Sequence, residues 1–317
     1  MASDDALNHL LSRTEAGEYR PGDLEPGDTS RISIEAFVAG AQGSARELAS
    51  EGDLRLHGAG VVGTSAELAD VSRITGSWQK LISAVGGALE DVKSLRGRLP
   101  ASVITRTTLV LSASPSPGSV ILHVRPKTDP FAEVAPTGDV PMIDQPRPLA
   151  DRASEAVIEV LAEAVSAGTE SLDRLTAVMQ DLGPRVGSSL VSFADALDKS
   201  DITLDVSWRE PTRPTRRAQV TPSTARWLQD FVAGRDLDAE VVELTGVLRT
   251  ISDADRWLVD VEDSQLRMNA TGLESSAIAR FHVGQRVALS VRISMREQPD
   301  GLMRTSRLIL SVRPAED

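Results

Sequence analysis

Six consecutive residues, Gly58-Ala59-Gly60-Val61-Val62-Gly63, carry the glycine spacing that brings backbone amides against a pyrophosphate at a helix N-terminus. The residues before them, Asp53-Leu54-Arg55-Leu56-His57, alternate charge with leucine. A strand in a doubly wound parallel sheet is buried on both faces and reads as apolar throughout. About 20 residues on, that fold needs a second strand ending in an acid, but here Trp78–Val85 has helical spacing. A glycine turn of structural purpose is therefore the expectation. Gly58, Gly60 and Gly63 stay as cofactor candidates only for a dinucleotide-dependent enzyme, the third-ranked function.

The remaining catalytic inventory is thin. The histidines stand at 9, 57, 123 and 282, with no pair at helical metal-ligand spacing. His57 and His123 fall on strand candidates, and His282 lies beside a glycine turn. Asp253/Asp255 and Glu262/Asp263 could hold a hard cation, but aspartate in a turn is already explained by hydrogen bonds to its own backbone. The chain has no cysteine, which excludes disulfides, thiolate metal sites and thiol nucleophiles. Serine-elbow, zincin, P-loop and kinase signatures are missing. The expectation is no catalytic residue, no metal and no cofactor.

Two arginine groups suit anions. Arg209, Arg213, Arg216 and Arg217 are spaced by Pro211 and Pro214, as in an extended basic loop whose guanidinium forks fit carboxylate or phosphate. With a net charge of −12 for the chain, pairing within the protein or between subunits is favoured. Further on, Arg267, Arg286, Arg292, Arg307 and Arg313 are read as an outward stripe opposite the apolar sets of their strands. Residues 244–313 hold ten arginines against eight acids, a net +2 that leaves −14 elsewhere. A single-strand nucleic-acid site would add stacking aromatics. The chain has only ten aromatic residues, and Trp257 shares its face with Val259 and Val261, pointing inward. A solvated surface is favoured over nucleic-acid binding.

The elements that must position these residues follow from periodicity and turn chemistry. Residues 1–30 carry seven acids against Arg13 and Arg20 and read as an acidic flexible arm, with Asp4–Ser12 a short docking helix. Residues 31–125 read as an α+β domain: a helix over Ile34–Ala49, a strand over Leu54–His57, and a helix over Trp78–Arg96 capped by Ser77 and stopped at Gly97. A hairpin of Thr105–Ala113 and Ser119–Val124 completes it. Gly86 and Gly87 weaken the second helix or admit a close neighbour. Six prolines make 126–148 a linker.

Residues 149–235 read as three amphipathic helices, a half-buried strand over Ile202–Trp208, and a helix opened by Thr221-Pro222. Residues 236–317 show three strands, a short helix and two strands. That is the element order of an OB-like small β-barrel, five strands plus one short helix.

The sum is an α+β multidomain protein. It is expected in the cytoplasm, since no apolar run spans a membrane and no secretory signal opens the chain. The scarcity of lysine, four of 34 basic residues, points to a GC-rich bacterial genome. The leading function is a non-catalytic interaction or adaptor protein that self-associates or docks a protein partner through its barrel. Single-stranded nucleic-acid binding through the arginine-bearing barrel face is the second reading.

Overall fold

The structure is a computed structural model that describes residues 50–112, 120–128, 133, 147–165, 169–210, 213–252, 256–262, 264–297 and 303–315. Among these residues the fold is mixed α/β, with seven helices and three sheets, one of them a curled five-strand half-barrel at the C-terminal end. The acidic arm, the Ile34–Ala49 helix, His9, the Asp253/Asp255 pair, Asp263 and most of the proline-rich stretch lie outside the described residues.

The first sheet is built around β1 (Glu51–His57). Its order is β4 (Leu109–Ser112), β5 (Val120–Pro126), β1, β6 (Thr203–Arg209), β7 (Arg216–Val220), antiparallel throughout. Strands from both sides of the proline-rich stretch thus share one sheet. They also share one core.

Alternation sets the two faces. Leu54, Leu56, Leu204, Val206 and Trp208 are buried under helices, while Asp53, Arg55, Asp205 and Ser207 between them face outward. The covering helices are α1 (Leu68–Leu89), α2 (Ala101–Thr107), α3 (Leu149–Val165), α4 (Thr169–Leu182), α5 (Pro184–Ser200) and α6 (Pro222–Gly234). Between β1 and α1 sits a two-strand hairpin, β2 (Val61–Val62) with β3 (Ser65–Ala66).

Two local expectations are corrected. α1 begins at Leu68, not at Trp78, and ends at Leu89, not at Arg96. Val71 and Ile74 extend its apolar stripe one turn at a time through Gly76, and Ser77 lies inside the helix, bonding back to the Ile74 carbonyl at 3.0 Å. The helix stops where Asp91 turns left-handed (φ 60°) and the Val92 amide reaches the Gly87 carbonyl at 2.8 Å. Gly87 leaves room for Leu99, whose Cδ2 lies 2.6 Å from where a Cβ would sit. Residues 105–107, expected in the hairpin, instead close α2. Thr107 bonds the Val103 carbonyl at 2.8 Å and the buried Ser83 hydroxyl at 3.0 Å, holding α2 to α1.

The second sheet is the half-barrel. Its order is β10 (Ser264–Met268), β9 (Trp257–Val261), β8 (Ala239–Thr250), β11 (Arg286–Glu297), β12 (Met303–Pro314), all antiparallel. α7 (Ser275–Ile278) crosses from β10 to β11. The sheet curls until Asn269, just past β10, meets Leu308 of β12 in a parallel bridge. Asn269 donates to the Arg307 carbonyl at 2.7 Å and accepts from the Ile309 amide at 2.8 Å. Gly246 permits the coil: a Cβ there would lie 2.5 Å from the Asp260 carbonyl. Trp257, 0 % exposed, fills the interior and donates to the Ser252 carbonyl at 2.8 Å.

The two sheets meet at α5 and the segment after α1. Leu95 enters the apolar cluster of the half-barrel. Glu240 accepts from the Ser94 hydroxyl and the Leu95 amide, both at 2.8 Å. Ser188 donates to the Met295 carbonyl at 2.8 Å, and Gly187 lies so near Leu237 that a Cβ would stand 2.1 Å from its carbonyl oxygen. The rest of the chain thus meets the half-barrel at its apolar cluster through Leu95 and at Leu237, Glu240 and Met295. No helix among the described residues is long and apolar enough to cross a membrane.

Candidate functional site

Two surfaces gather the chain's ionisable chemistry. The first is the open face of the first sheet. At its centre Asp53 accepts from Arg209 at 2.6 Å, lies 2.6 Å from His123 Nδ1, and has Ser207 Oγ at 3.5 Å. Burial pulls its carboxyl upward, but the hydrogen bonds and charges of Arg209 and His123 overcome this and hold it below the usual carboxylate value. Two residues along β1, Arg55 stands directly opposite Asp205 with 3.8 Å between guanidinium and carboxylate. His57 Nε2 lies 3.1 Å from the same carboxylate without hydrogen-bond alignment. The histidines thus serve different carboxylates and themselves stand four residues, about 13 Å, apart along the strand direction; they do not converge in a cleft.

Three of the four 209–217 arginines meet acids within the chain. Arg209 reaches Glu51 at 3.1 Å as well as Asp53, Arg213 reaches Glu210 at 3.4 Å, and Arg216 reaches Glu155 at 2.8 Å. Arg216 and Arg217 lie in β7, an edge strand, and not in the extended loop read from the sequence. Arg147, missed in the sequence, clamps the start of α3 to the end of β6, donating to Glu210 at 2.8 Å and lying 2.7 Å from Glu155. Beneath it lies Asp151, only 1 % exposed, accepting from Trp208 Nε1 at 3.0 Å and from Ser50. Burial raises its carboxyl to about 6, against those hydrogen bonds.

The glycine motif is accounted for by the turn leaving β1. Gly58 has φ 107°, and a Cβ on Gly60 would stand 2.0 Å from the Ser200 carbonyl. The strand before the motif pairs antiparallel on both sides, and the motif runs into a small hairpin before any helix. His282 is exposed beside the Gly284 turn, where its amide bonds the Gln285 side chain at 3.2 Å.

The second surface is the outer face of β8, β11 and β12. Register puts Val241, Arg292 and Leu308 side by side across the three strands. Val241 is 60 % exposed, and Leu310, the extra residue where the β11–β12 register shifts, is 43 % exposed. Arg286 shares the face; Arg292 pairs with Asp236, and Arg313 lies 3.7 Å from Glu243. Arg267 lies outward on β10, away from this row. Arg307 does not belong to the stripe: it stands opposite Ile293, on the side of Ile309, because strand alternation has period two.

The sequence reading also missed Arg296 and Arg304, which lie directly opposite each other. Neither has an ion pair or side-chain hydrogen bond among the described residues. Like charges so placed destabilise a strand pair by about 0.2–1 kcal/mol. The signal was available: a turn centred on the Pro299-Asp300-Gly301 run sets 296 against 304.

No protein-family model, no curated protein and no solved structure matches the chain.

Proposed function

We propose that the protein is a non-catalytic interaction protein of the cytoplasm. It binds a protein partner, a second copy of itself included, through the outer face of its C-terminal half-barrel. The observation that carries this reading is the Val241–Arg292–Leu308 row with the exposed Leu310 beside it. Arginine is enriched in protein interfaces, and here it stands among exposed aliphatic side chains.

Residues 236–317 form the docking module, and an OB-type barrel is the fold we assign it. Three features support that: strand order, the parallel contact between third and fifth strands, and a short helix between third and fourth. The inner side is plugged by Leu95, so the outer face is what the module has left to offer.

The test compares tagged full-length chain with a Val241→Asp/Leu310→Asp variant, expressed equally in the native host and cross-linked before purification. Quantitative mass spectrometry is expected to recover a defined partner set, or a cross-linked dimer, that the variant loses. Identical recoveries from both would overturn the assignment. Both substitutions are at exposed positions, so the fold is retained.

A further inference from the structure

We infer that Arg296 and Arg304 form the recognition fork for a carboxylate-rich, extended segment of the partner protein. The inference rests on the docking role of the half-barrel and adds the chemistry of what is docked.

The arginines sit where β11 and β12 run past β8. Pairing with β8 ends at Ser294, so residues 295–297 and 303–305 project as a two-stranded ribbon. The ribbon is held in place, because Ser188 of α5 donates to the Met295 carbonyl at 2.8 Å and Met295 packs on the half-barrel core. Directly opposite residues place their Cβ atoms about 5 Å apart. Two exposed arginines placed opposite each other can both turn their guanidiniums to one anion, and their planar forks match a carboxylate. Ser294 faces Ser306 in the next pair and adds hydroxyl donors on the same face.

The shape of the occupant follows from the edge. β12 is the last strand of its sheet; Asn269 takes the edge groups of Arg307 and Ile309, and among the described residues no strand pairs with its far side at 303–306. An extended segment laid along that free stretch presents alternate side chains, about 7 Å apart, to the face bearing Arg304 and Ser306. Acidic residues at alternate positions would reach the fork. A nucleic-acid strand fits less well. Its bases call for stacking rings, and the half-barrel's only tryptophan is buried in its core.

The experiment titrates full-length chain against three fluorescent probes at low salt: a twelve-residue peptide alternating Glu and Thr, its Lys–Thr counterpart, and a twelve-nucleotide oligothymidylate. The acidic peptide is expected to bind, the basic one not, and the oligonucleotide more weakly than the peptide. Arg296→Gln/Arg304→Gln should weaken peptide binding at least tenfold, and Arg217→Gln on the other sheet should leave it unchanged. Relief of the repulsion predicts an equal or higher Tm for the double variant, which separates lost recognition from lost fold.

Equal peptide affinity in wild type and double variant, or tighter binding of the oligonucleotide, would refute the inference. If partners are lost with Val241→Asp/Leu310→Asp but not with Arg296→Gln/Arg304→Gln, the docking face stands and the fork does not. If neither variant loses partners, both readings fall.

Discussion

Asp151→Asn isolates one buried charge. The carboxyl is 1 % exposed between α3 and the sheet, and its pKa is about 6, against an ordinary 3.8. A pKa raised in the folded state means that folding binds the proton. The associated stability is present in full below the unfolded value and is lost as pH rises through about 6. At about 1.4 kcal/mol per unit, the ionised carboxylate costs the folded protein on the order of 2–3 kcal/mol at pH 8. The asparagine oxygen still accepts from Trp208 Nε1, and its amide can donate to Ser50, so the hydrogen bonds survive. Urea unfolding followed by tryptophan fluorescence at pH 5, 6, 7 and 8 measures the effect. Asp53 and Glu155, whose carboxyls lie below their usual values, titrate alike in both proteins and cancel in the difference. The variant is expected to gain stability relative to wild type by about 1–1.5 kcal/mol between pH 5 and pH 8. Parallel pH profiles for the two proteins would show that Asp151 carries no such burden.

Three further substitutions probe the joint and the open sheet face. Gly187→Ala puts a methyl group 2.1 Å from the Leu237 carbonyl oxygen and should cost about 1–3 kcal/mol in a chemical melt, with faster amide exchange in β8; an unchanged melt would show that the joint yields. Leu95→Ala empties a buried position in the half-barrel cluster and is expected to lower unfolding free energy by about 2–4 kcal/mol, read by urea titration. Asp53→Asn takes from Arg209 and His123 the carboxylate they share, for a loss of about 1–2 kcal/mol at pH 7. The Asp53 carboxyl lies below its usual value, so its contribution is present at neutral pH and fades as pH falls through the folded value. The gap between wild type and Asp53→Asn should therefore close under acid, as circular dichroism melts from pH 7 to pH 3 would show.

The C-terminal half-barrel was legible because its information is local. Alternation in Trp257–Val261 and the turn at Glu262 fix β9 against β10, its neighbour in sequence, and Trp257 could be placed inside from parity alone. The first sheet was not legible as a sheet. β1 pairs with β6 across about 150 intervening residues, and no local pattern encodes that meeting. Its charge alternation was visible in Asp53-Leu54-Arg55-Leu56-His57, but the complement that gives it meaning, Asp205, Ser207 and Arg209, comes from a distant strand. For the same reason the sequence favoured internal or subunit pairing for Arg209 and Arg216 without naming the acids, which are Glu51, Asp53 and Glu155 from distant elements.

That contrast separates the two surfaces. On the first sheet, long-range pairing brings each outward arginine of β1 and β6 to a carboxylate, so folding itself satisfies those charges. On the half-barrel, folding does the opposite at one place. A short local hairpin brings Arg296 against Arg304, and among the described residues no acid pairs with either. A sequence under selection for stability alone has an inexpensive remedy, since glutamate at either position would turn a repulsive cross-strand pair into an attractive one. Keeping two cations face to face on a ribbon braced by Ser188 is a local conflict of the kind that marks function. It is why the weight of a binding role falls on the half-barrel and not on the richer-looking histidine and aspartate array of the other sheet.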